Sequence, residues 1–213
     1  MWALGHQHDR TRGGNGIFVL PSRGRPHNIA RFITEYKETG ATTPVWLRLD
    51  DDDPSGYVCD HPNWIVEIGQ RVPLSEIYND AYWKFPGSAW FGFIADDVVP
   101  KTNQWDTRLI EIAGSDGMAV PSGGHDPNGA PHFVLGGDLV RSIGWLCLPG
   151  LHRLYIDTVW LDIATQRGVL RRVPEVLLEH LHFSNGKALM DQTYRKPNRE
   201  ADRKIYTQWR NAW

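Results

Sequence analysis

Short apolar runs alternate with amphipathic stretches along the first half of this chain, and this alternation limits the fold more than any other feature. The apolar run Ile17–Leu20 stops at Pro21 and Gly24, and the stretch HNIARFITEYKETG then repeats apolar residues at helical spacing before Gly40. Similar pieces return in PVWLRLD, WIVEIG, PLSEIYNDAYWKF and WFGFIADD. Repeated strand–helix units predict an α/β fold with a Rossmann-like, mostly parallel sheet flanked by helices.

The chain shows no linker that would divide it into two folded units. Its 213 residues suit one domain, and strand-like and helical pieces continue through the second half, for example in MAVPSG and YIDTVWLDIATQRG. Residues 1–15 are rich in Gly, His, Asp and Arg and predict a flexible N-terminal arm. We therefore expect one domain over residues 16–194, followed by a basic and aromatic segment over residues 195–213.

Overall charge and cysteine use narrow the class of protein. The formal charge is -2 and the sequence pI is about 6.5, so any contact with nucleic acid must come from a local patch. Cys59 and Cys147 lack metal-type spacing, the N-terminus lacks the apolar core of a signal peptide, and no window approaches the roughly 18 apolar residues of a membrane span. The sequence predicts a protein of the reducing cytoplasm that makes no membrane contact.

Two adjacent carboxylates, Asp96 and Asp97, end the apolar run WFGFI. Neighbouring carboxylates at such a position repel each other and are costly to desolvate, so they require a cation or a ring of donors. A pair at a strand end can hold Mg²⁺ or Mn²⁺ beside phosphate oxygens, with one Asp on the metal and the other orienting a ligand. The alternative is an acidic turn that caps the following helix.

Two further charged loops also follow predicted strands. The run of four acids in LRLDDDDPSGY is no EF-hand, because Pro62 stands where the bidentate Glu is needed. One of its members, Asp52 or Asp53, can accept hydrogen bonds from a nucleobase or ribose, and the alternative is a solvated turn. The loop SRGRP places the guanidiniums of Arg23 and Arg25 between strand and helix, where they can cradle phosphate or remain solvated.

The second half adds candidates for the same chemistry. His180 and His182 are two residues apart, so on an extended segment both face one side, and one imidazole can complete a metal site; an ordinary core or surface histidine is the alternative. Asp157 lies near a predicted helix start, where it can cap the helix, act as a general base, or both.

Together these motifs resemble the nucleotide-sugar-dependent glycosyltransferases of the GT-A type, close to small phage-type members of the family-2-like group. The resemblance covers roughly Ile17 to Tyr194 and rests on VLPSRGRPHNIARFI, LDDDDPSGY, GFIADDVVPKTNQWD, IDTVW and HLHFSNGKALMDQTY, in that order. It implies a GT-A domain and a hexosyltransferase-like enzyme of class EC 2.4. The expected donor is a nucleoside-diphosphate sugar, with a UDP-sugar favoured.

The resemblance also implies roles for individual residues. Donor-nucleotide binding is expected of the first loop, the acidic run and the first member of the Asp pair: Pro21, Arg23, Arg25, Asp52, Asp53 and Asp96. The family's D-x-D motif uses its last Asp for the metal, which implies Mn²⁺ or Mg²⁺ on Asp97, with His182 completing the shell and His180 as the alternative. Ala95 replaces the first Asp of that motif, so Asp96 must supply its contact. In inverting members an Asp base matches Asp157, and in a retaining enzyme it would lose that role.

The acceptor side is predicted from the aromatic and basic residues of the C-terminal half. Trp160, and Arg195, Lys196 and Trp209 in the tail, are the expected acceptor contacts, since a basic and aromatic mixture suits a phosphate backbone with a displaced base. The alternative for the tail is an amphipathic helix docked by its aromatics. With the phage-like pattern, the expected acceptor is a 5-hydroxymethylpyrimidine of bacteriophage DNA, in the cytoplasm of the host.

Three rival functions remain at the level of sequence. A glycosyltransferase of this kind can instead act on a surface or capsular glycan. A nucleotidyltransferase shares the sheet and the metal carboxylates but releases pyrophosphate from a triphosphate. A sugar-binding module without catalysis can use the tryptophans, yet it has no need for a pair of carboxylates that neutralises a diphosphate.

Overall fold

The computed structural model describes residues 16–123, 128–190 and 199–213. Eight strands form one sheet in the order β3-β2-β1-β4-β7-β6-β8-β5. The elements follow the chain as β1 (Ile17–Ser22), α1 (Pro26–Glu38), β2 (Val45–Asp50), β3 (Trp64–Gly69), α2 (Leu74–Lys84), β4 (Trp90–Phe93), β5 (Val98–Pro100), α3 (Trp105–Ala113), β6 (Met118–Ser122), β7 (Phe133–Gly136), α4 (Gly137–Ile143), α5 (Ile156–Gln166), β8 (Leu170–His180), a 3₁₀ turn (Phe183–Asn185) and α6 (Arg199–Ala212).

The expected α/β class is confirmed. The pairs β1–β2, β2–β3, β1–β4 and β6–β8 are parallel, whereas β4–β7, β6–β7 and β5–β8 are antiparallel. The parallel part is the strand–helix alternation of the first half. It directs the carboxyl ends of β1, β2 and β4 to the same edge of the sheet, which is where ligands bind in open α/β folds.

Apolar side chains cover both faces of this sheet. One cluster joins Phe18, Phe32 and Trp105 and lies under α1 and α3. The other joins Phe93 and Trp160 to residues of α2, α4 and α6. Because strands buried on both faces are mainly apolar, β1 and β4 read as nearly continuous apolar runs in the sequence, and β2 is interrupted only by Arg48 before it ends at Asp50.

The segment after β4 differs from the sequence prediction. WFGFIADD was expected to end on its acids before a polar turn, but β4 ends at Phe93 and a further strand, β5, begins at Val98. That strand pairs with the end of β8, so Asp96 and Asp97 lie in a short connection between two strands. Across the described parts of the chain, no helix is both long enough and apolar enough for a membrane crossing.

Candidate active site

A cleft of about 910 Å³ lies at the carboxyl ends of the parallel strands. Its floor is aromatic: the ring of Phe93 stacks between Tyr78 and Phe133, with both centroid distances at 4.3 Å. Its walls come from separate parts of the chain, among them Pro21–Arg25, Arg48 and Asp50 of β2, residues 71–74, residues 93–97, residues 152–154, Ile156 and Asp157 of α5, and His180 and His182 at the end of β8. Parallel topology therefore brings most of the predicted motifs to one place.

The β1–α1 loop is held in shape by the acidic run after β2. Arg23 forms ion pairs with Asp52 and, at 3.2 Å, with Asp50, and the backbone N–H of Gly24 donates to Asp53 Oδ2 at 2.7 Å. Gly24 has φ +69°, a conformation that favours glycine. Asp52 and Asp53 were predicted to contact the nucleotide, but they bind the β1–α1 loop, which lines the cleft. Neither carboxylate is among the residues that line the cleft, whereas Pro21, Arg23 and Arg25 are.

Hydrogen bonding determines the charge state of Asp53. Burial alone would raise the pKa of this carboxyl, but donors on Gly24, Ser55 and Tyr57 outweigh burial, and the pKa lies below its ordinary value. The same Tyr57 hydroxyl accepts from the backbone N–H of Arg25 at 3.2 Å. Asp53 and Tyr57 therefore hold the backbone at Gly24 and Arg25, within the short segment that carries the two guanidiniums.

Asp96 and Asp97 are both buried, and each faces donors of the protein itself. The guanidinium of Arg25 lies 2.9 Å from Asp96 Oδ1 and 3.4 Å from Asp97 Oδ2. Ser22 donates to Asp96 Oδ2 at 2.7 Å. Burial raises the pKa of Asp96, against the opposing effect of the nearby Arg25. The sequence expectation that the pair needs a cation is met in this structure by an arginine.

His180 is the histidine that reaches the Asp pair. Its Nε2 atom lies 3.0 Å from Asp97 Oδ1, and both side chains are more than nine-tenths buried. The β5–β8 ladder sets this contact, because Val98 pairs with His180 and the N–H of Leu181 donates to the carbonyl of Asp97 at 2.8 Å. His182, predicted as the metal ligand, also lines the cleft, but its Nδ1 accepts from the N–H of Ser184 at 3.2 Å as the cap of the 3₁₀ turn.

A second buried histidine, His132, was missed by sequence reasoning. Its ring lies 4.8 Å from that of His180, and its Nδ1 accepts from the backbone N–H of Ala95 at 3.4 Å. The antiparallel pairing of β4 with β7 matches Phe93 to Phe133, and so brings the residue before β7 beside the Asp pair. No local signal marks His132, since only this long-range pairing gives it a place in the site.

A divalent cation fits part of this arrangement. In the described ranges, no group of three or more His, Cys, Asp or Glu side chains is arranged to hold a metal ion. Asp97 and His180 nevertheless offer the oxygen and nitrogen donors that Mn²⁺ accepts. At 3.0 Å apart, these two donor atoms are close enough for one ion to bind both. These two residues would supply adjacent ligands, and further positions would remain for oxygens of a substrate.

Asp157 also lines the cleft, in the first turn of α5. Its Oδ1 accepts from the N–H of Thr158 at 2.9 Å and from the Thr158 hydroxyl at 3.4 Å. The N-cap of α5 is Tyr155, without a side-chain cap hydrogen bond, so the prediction that Asp157 caps the helix is wrong. Both of its bonds use one oxygen, and its role as a base stays a prediction. Asp157 also adds to the effect of burial in raising the pKa of Tyr78.

The predicted acceptor residues lie in different environments. Trp160 is fully buried and its indole N–H donates to the carbonyl of Leu146 at 2.7 Å, so it has no exposed face for a sugar. Trp209 is partly buried on α6 and packs against the core cluster around Tyr206. Arg195 and Lys196 lie outside the described residues. The structure therefore places Trp160 in the core, a correction to the prediction that it contacts the acceptor.

Comparison with known proteins places the fold. No protein-family model and no curated relative matches the sequence. Glucosyl-3-phosphoglycerate synthase from Mycobacterium tuberculosis, solved with Mn²⁺, UDP and phosphoglyceric acid, superposes with a TM-score of 0.54 at 12% identity, covering 81% of this chain and 72% of that chain. Its complex with Mn²⁺, UDP and glucosyl-3-phosphoglycerate gives 0.53 at 12% identity, covering 85% and 77%.

A third similar solved structure bears the name of a different enzyme. A proposed glucose-1-phosphate thymidylyltransferase from Bacillus anthracis, in complex with a sucrose, superposes with a TM-score of 0.51 at 10% identity, covering 85% of this chain and 98% of that chain. At such identities the likeness concerns the fold alone. The chain has the GT-A fold of the nucleotide-diphospho-sugar transferases, as the sequence motifs predicted.

Proposed function

We propose that this protein is a hexosyltransferase-like glycosyltransferase that moves a sugar from a nucleoside-diphosphate sugar, with a UDP-sugar favoured, to an acceptor hydroxyl. The observation that carries the proposal is the buried contact between His180 and Asp97, next to Asp96 and Arg25, at the carboxyl ends of β1 and β4. The structural similarity to glucosyl-3-phosphoglycerate synthase, which was solved with Mn²⁺ and UDP, supports the choice of donor.

The donor side is assigned to the first loop and the Asp pair. Arg23 and Arg25 face the cleft and are suited to the oxygens of a diphosphate. A Mn²⁺ or Mg²⁺ ion held by Asp97 and His180 would stabilise the negative charge that develops on the leaving diphosphate. Asp96 accepts hydrogen bonds from both Ser22 and Arg25, and so orients the Arg25 guanidinium.

The acceptor side is assigned to the wall that contains Asp157. In a direct displacement, the acceptor oxygen forms a bond to the anomeric carbon while the bond from that carbon to the β-phosphate oxygen breaks. The leaving nucleoside diphosphate keeps the electron pair, and the carboxylate of Asp157 takes the hydroxyl proton. The Asp pair and Asp157 line the same cleft, so a sugar bound there can meet both the base and the leaving group.

For the acceptor itself we propose a 5-hydroxymethylpyrimidine of bacteriophage DNA. The exposed face of α6 supports a polyanionic partner, since Arg199, Arg203, Lys204 and Arg210 are all exposed there, opposed by Glu200 beside Arg203 and Asp162 beside Arg210. Trp213 is 47% exposed at the end of the same helix. Basic and aromatic residues together bind a phosphate backbone and an unstacked base.

One assay separates this proposal from its rivals. Purified protein is mixed with a panel of sugar nucleotides and Mn²⁺ or EDTA, with hydroxymethylated DNA, plain DNA or a glycan, and nucleoside-diphosphate release is measured. We expect metal-dependent release with hydroxymethylated DNA and a loss of about 10²–10⁴-fold in Asp157→Asn. Release with the glycan alone would overturn the DNA acceptor. Pyrophosphate release from a nucleoside triphosphate and a sugar phosphate would replace the transferase by a nucleotidyltransferase.

A further inference from the structure

The loop before α5 is held from behind by a buried carboxylate of the C-terminal helix. The backbone N–H groups of His152, Arg153 and Leu154 donate to Asp202 at 2.8, 3.0 and 2.8 Å. Asp202 lies in the first turn of α6 and is 0% exposed. A carboxylate is costly to bury, and here three hydrogen bonds from successive residues offset that cost. The loop backbone is therefore fixed by these bonds while its side chains line the cleft.

A second contact between α6 and this loop constrains the turn into α5. Tyr155 adopts φ +66°, which is uncommon for a residue with a side chain. Its ring stacks on that of Tyr206 with a centroid distance of 4.9 Å and an interplanar angle of 11°. Tyr206 in turn donates to Asp162 of α5 at 2.7 Å. Helix α6 thus determines where residues 152–155 stand relative to Asp157.

The neighbouring wall of the cleft is tied to the same loop. The N–H of Ser75 donates to the carbonyl of His152 at 3.4 Å, and the Ser75 hydroxyl donates to the carbonyl of Leu151. These bonds join the start of α2 to the loop, and the segment before α2 contains the half-exposed Arg71, which also lines the cleft. Arg71, His152 and Arg153 all line the cleft, so two guanidiniums and an imidazole face it, and Arg71 also lies 4.0 Å from Asp52.

We propose that Arg71, His152 and Arg153 form an anion subsite for the acceptor, which binds a phosphate group next to the hydroxyl that receives the sugar. Asp202 is the positioning residue of this subsite, since it holds the backbone that carries two of the three side chains. That the bound phosphate belongs to an acceptor rests on the proposed transferase function, whereas the anion site itself does not depend on that function. Phosphates of a DNA backbone and of a small phosphorylated acceptor offer the same oxygens to these groups.

The test measures phosphate binding with the donor position filled. The full-length protein is saturated with UDP and Mg²⁺ and titrated calorimetrically with inorganic phosphate, then with glycerol 3-phosphate and with a short DNA duplex. We expect Arg153→Gln to weaken binding of inorganic phosphate about tenfold, the value of one charge-assisted hydrogen bond. Asp202→Asn should weaken it as well, with UDP affinity unchanged in both variants. The stronger of the last two ligands identifies the source of the phosphate.

Glu200→Gln is the matched control, because Glu200 lies in the same first turn of α6 as Asp202 but is exposed and pairs with Arg203. It should bind phosphate as the wild type does. The proposal is overturned if wild-type protein binds no phosphate with UDP present, or if Arg153→Gln binds it equally well. Should Asp202→Asn fail to fold, Arg153→Gln alone decides. If the wild type does not bind UDP, the transferase proposal fails, and titration of the free protein still decides the subsite.

Discussion

His180 and Asp97 form a buried contact, with 3.0 Å between Nε2 and Oδ1, at the junction of β5 and β8. His182 lies two residues further on and forms the cap of the 3₁₀ turn instead. The two histidines therefore have different roles, although both line the cleft. This difference leads directly to a test of the proposed metal ligands.

Replacing His180 by Ala should weaken Mn²⁺ binding by at least about 10–100-fold, because a ligand is at least as important as the outer-shell groups for which this range is known. His182→Ala should change Mn²⁺ affinity by much less. Electron paramagnetic resonance of Mn²⁺ titrations, with UDP present, measures both affinities. Equal losses in the two variants would contradict the assignment of His180 as the nearer ligand.

The Arg25 guanidinium is the positive charge beside the carboxylates of Asp96 and Asp97. Its removal therefore leaves two buried carboxylates without that ion-pair partner. We expect Arg25→Gln to lower the free energy of unfolding by about 3–5 kcal/mol, the usual cost of breaking a buried pair. Added Mn²⁺ should raise the melting temperature of this variant more than that of the wild type. Arg203→Gln, on an exposed face of α6, is the control and should change neither quantity. A metal effect equal to that in the wild type would argue against competition for the same carboxylates.

The stability contribution of Asp53 should depend on pH. Its pKa in the folded protein is lowered, so its stabilising effect is complete above the unfolded pKa of about 3.9 and is lost as the pH falls through the lower folded pKa. Asp53→Asn should therefore lose about 1 kcal/mol at pH 7, and the difference from wild type should close in acid. Urea unfolding at several pH values measures it. A difference between Asp53→Asn and wild type that stays constant as the pH falls would contradict this account.

Trp160 should affect stability rather than acceptor binding. Trp160→Phe leaves a void in the core and removes the donor to the Leu146 carbonyl, so we expect a loss of about 2–3 kcal/mol. Trp83, which is 72% exposed, is the control, and Trp83→Phe should stay within about 0.5 kcal/mol. Thermal unfolding gives both values. A variant of Trp160 with normal stability and a raised Michaelis constant for the acceptor would restore its predicted role.

The parallel half of the fold follows from local patterns, but the antiparallel half does not. Apolar runs and helical spacing predict β1, α1, β2, β3, α2 and β4 in order, because a strand buried on both faces leaves a clear local signal. The strand Val98–Pro100 is three residues long and forms only because the distant β8 pairs with it. No window around Asp97 contains that information, which explains why the acids were expected to end a strand before a turn.

The candidate site shows the same division. Arg23, Arg25, Asp96 and Asp97 could be grouped from the sequence, since the carboxyl ends of parallel strands meet at one edge. The choice between His180 and His182 depends on where β8 ends, because both would face one side only if the strand continued. His132 reaches the site through the β4–β7 pairing. Asp202 is an acid in a basic helix, and its role depends on the backbone N–H groups of residues 152–154, which lie about 50 residues earlier in the chain.

The β5–β8 ladder has a consequence for how the site can change during evolution. If the β5–β8 register shifted by one residue, Glu179 or Leu181 would pair with Val98 in place of His180. The His180 side chain would then point to the other face of the sheet. The length of chain between Asp97 and His180 has no such effect, because only the ladder Val98–Pro100 with Leu178–His180 sets their distance. Loops within that interval can therefore lengthen or shorten, and diversify recognition of new acceptors, while the spacing of the two proposed ligands stays constant.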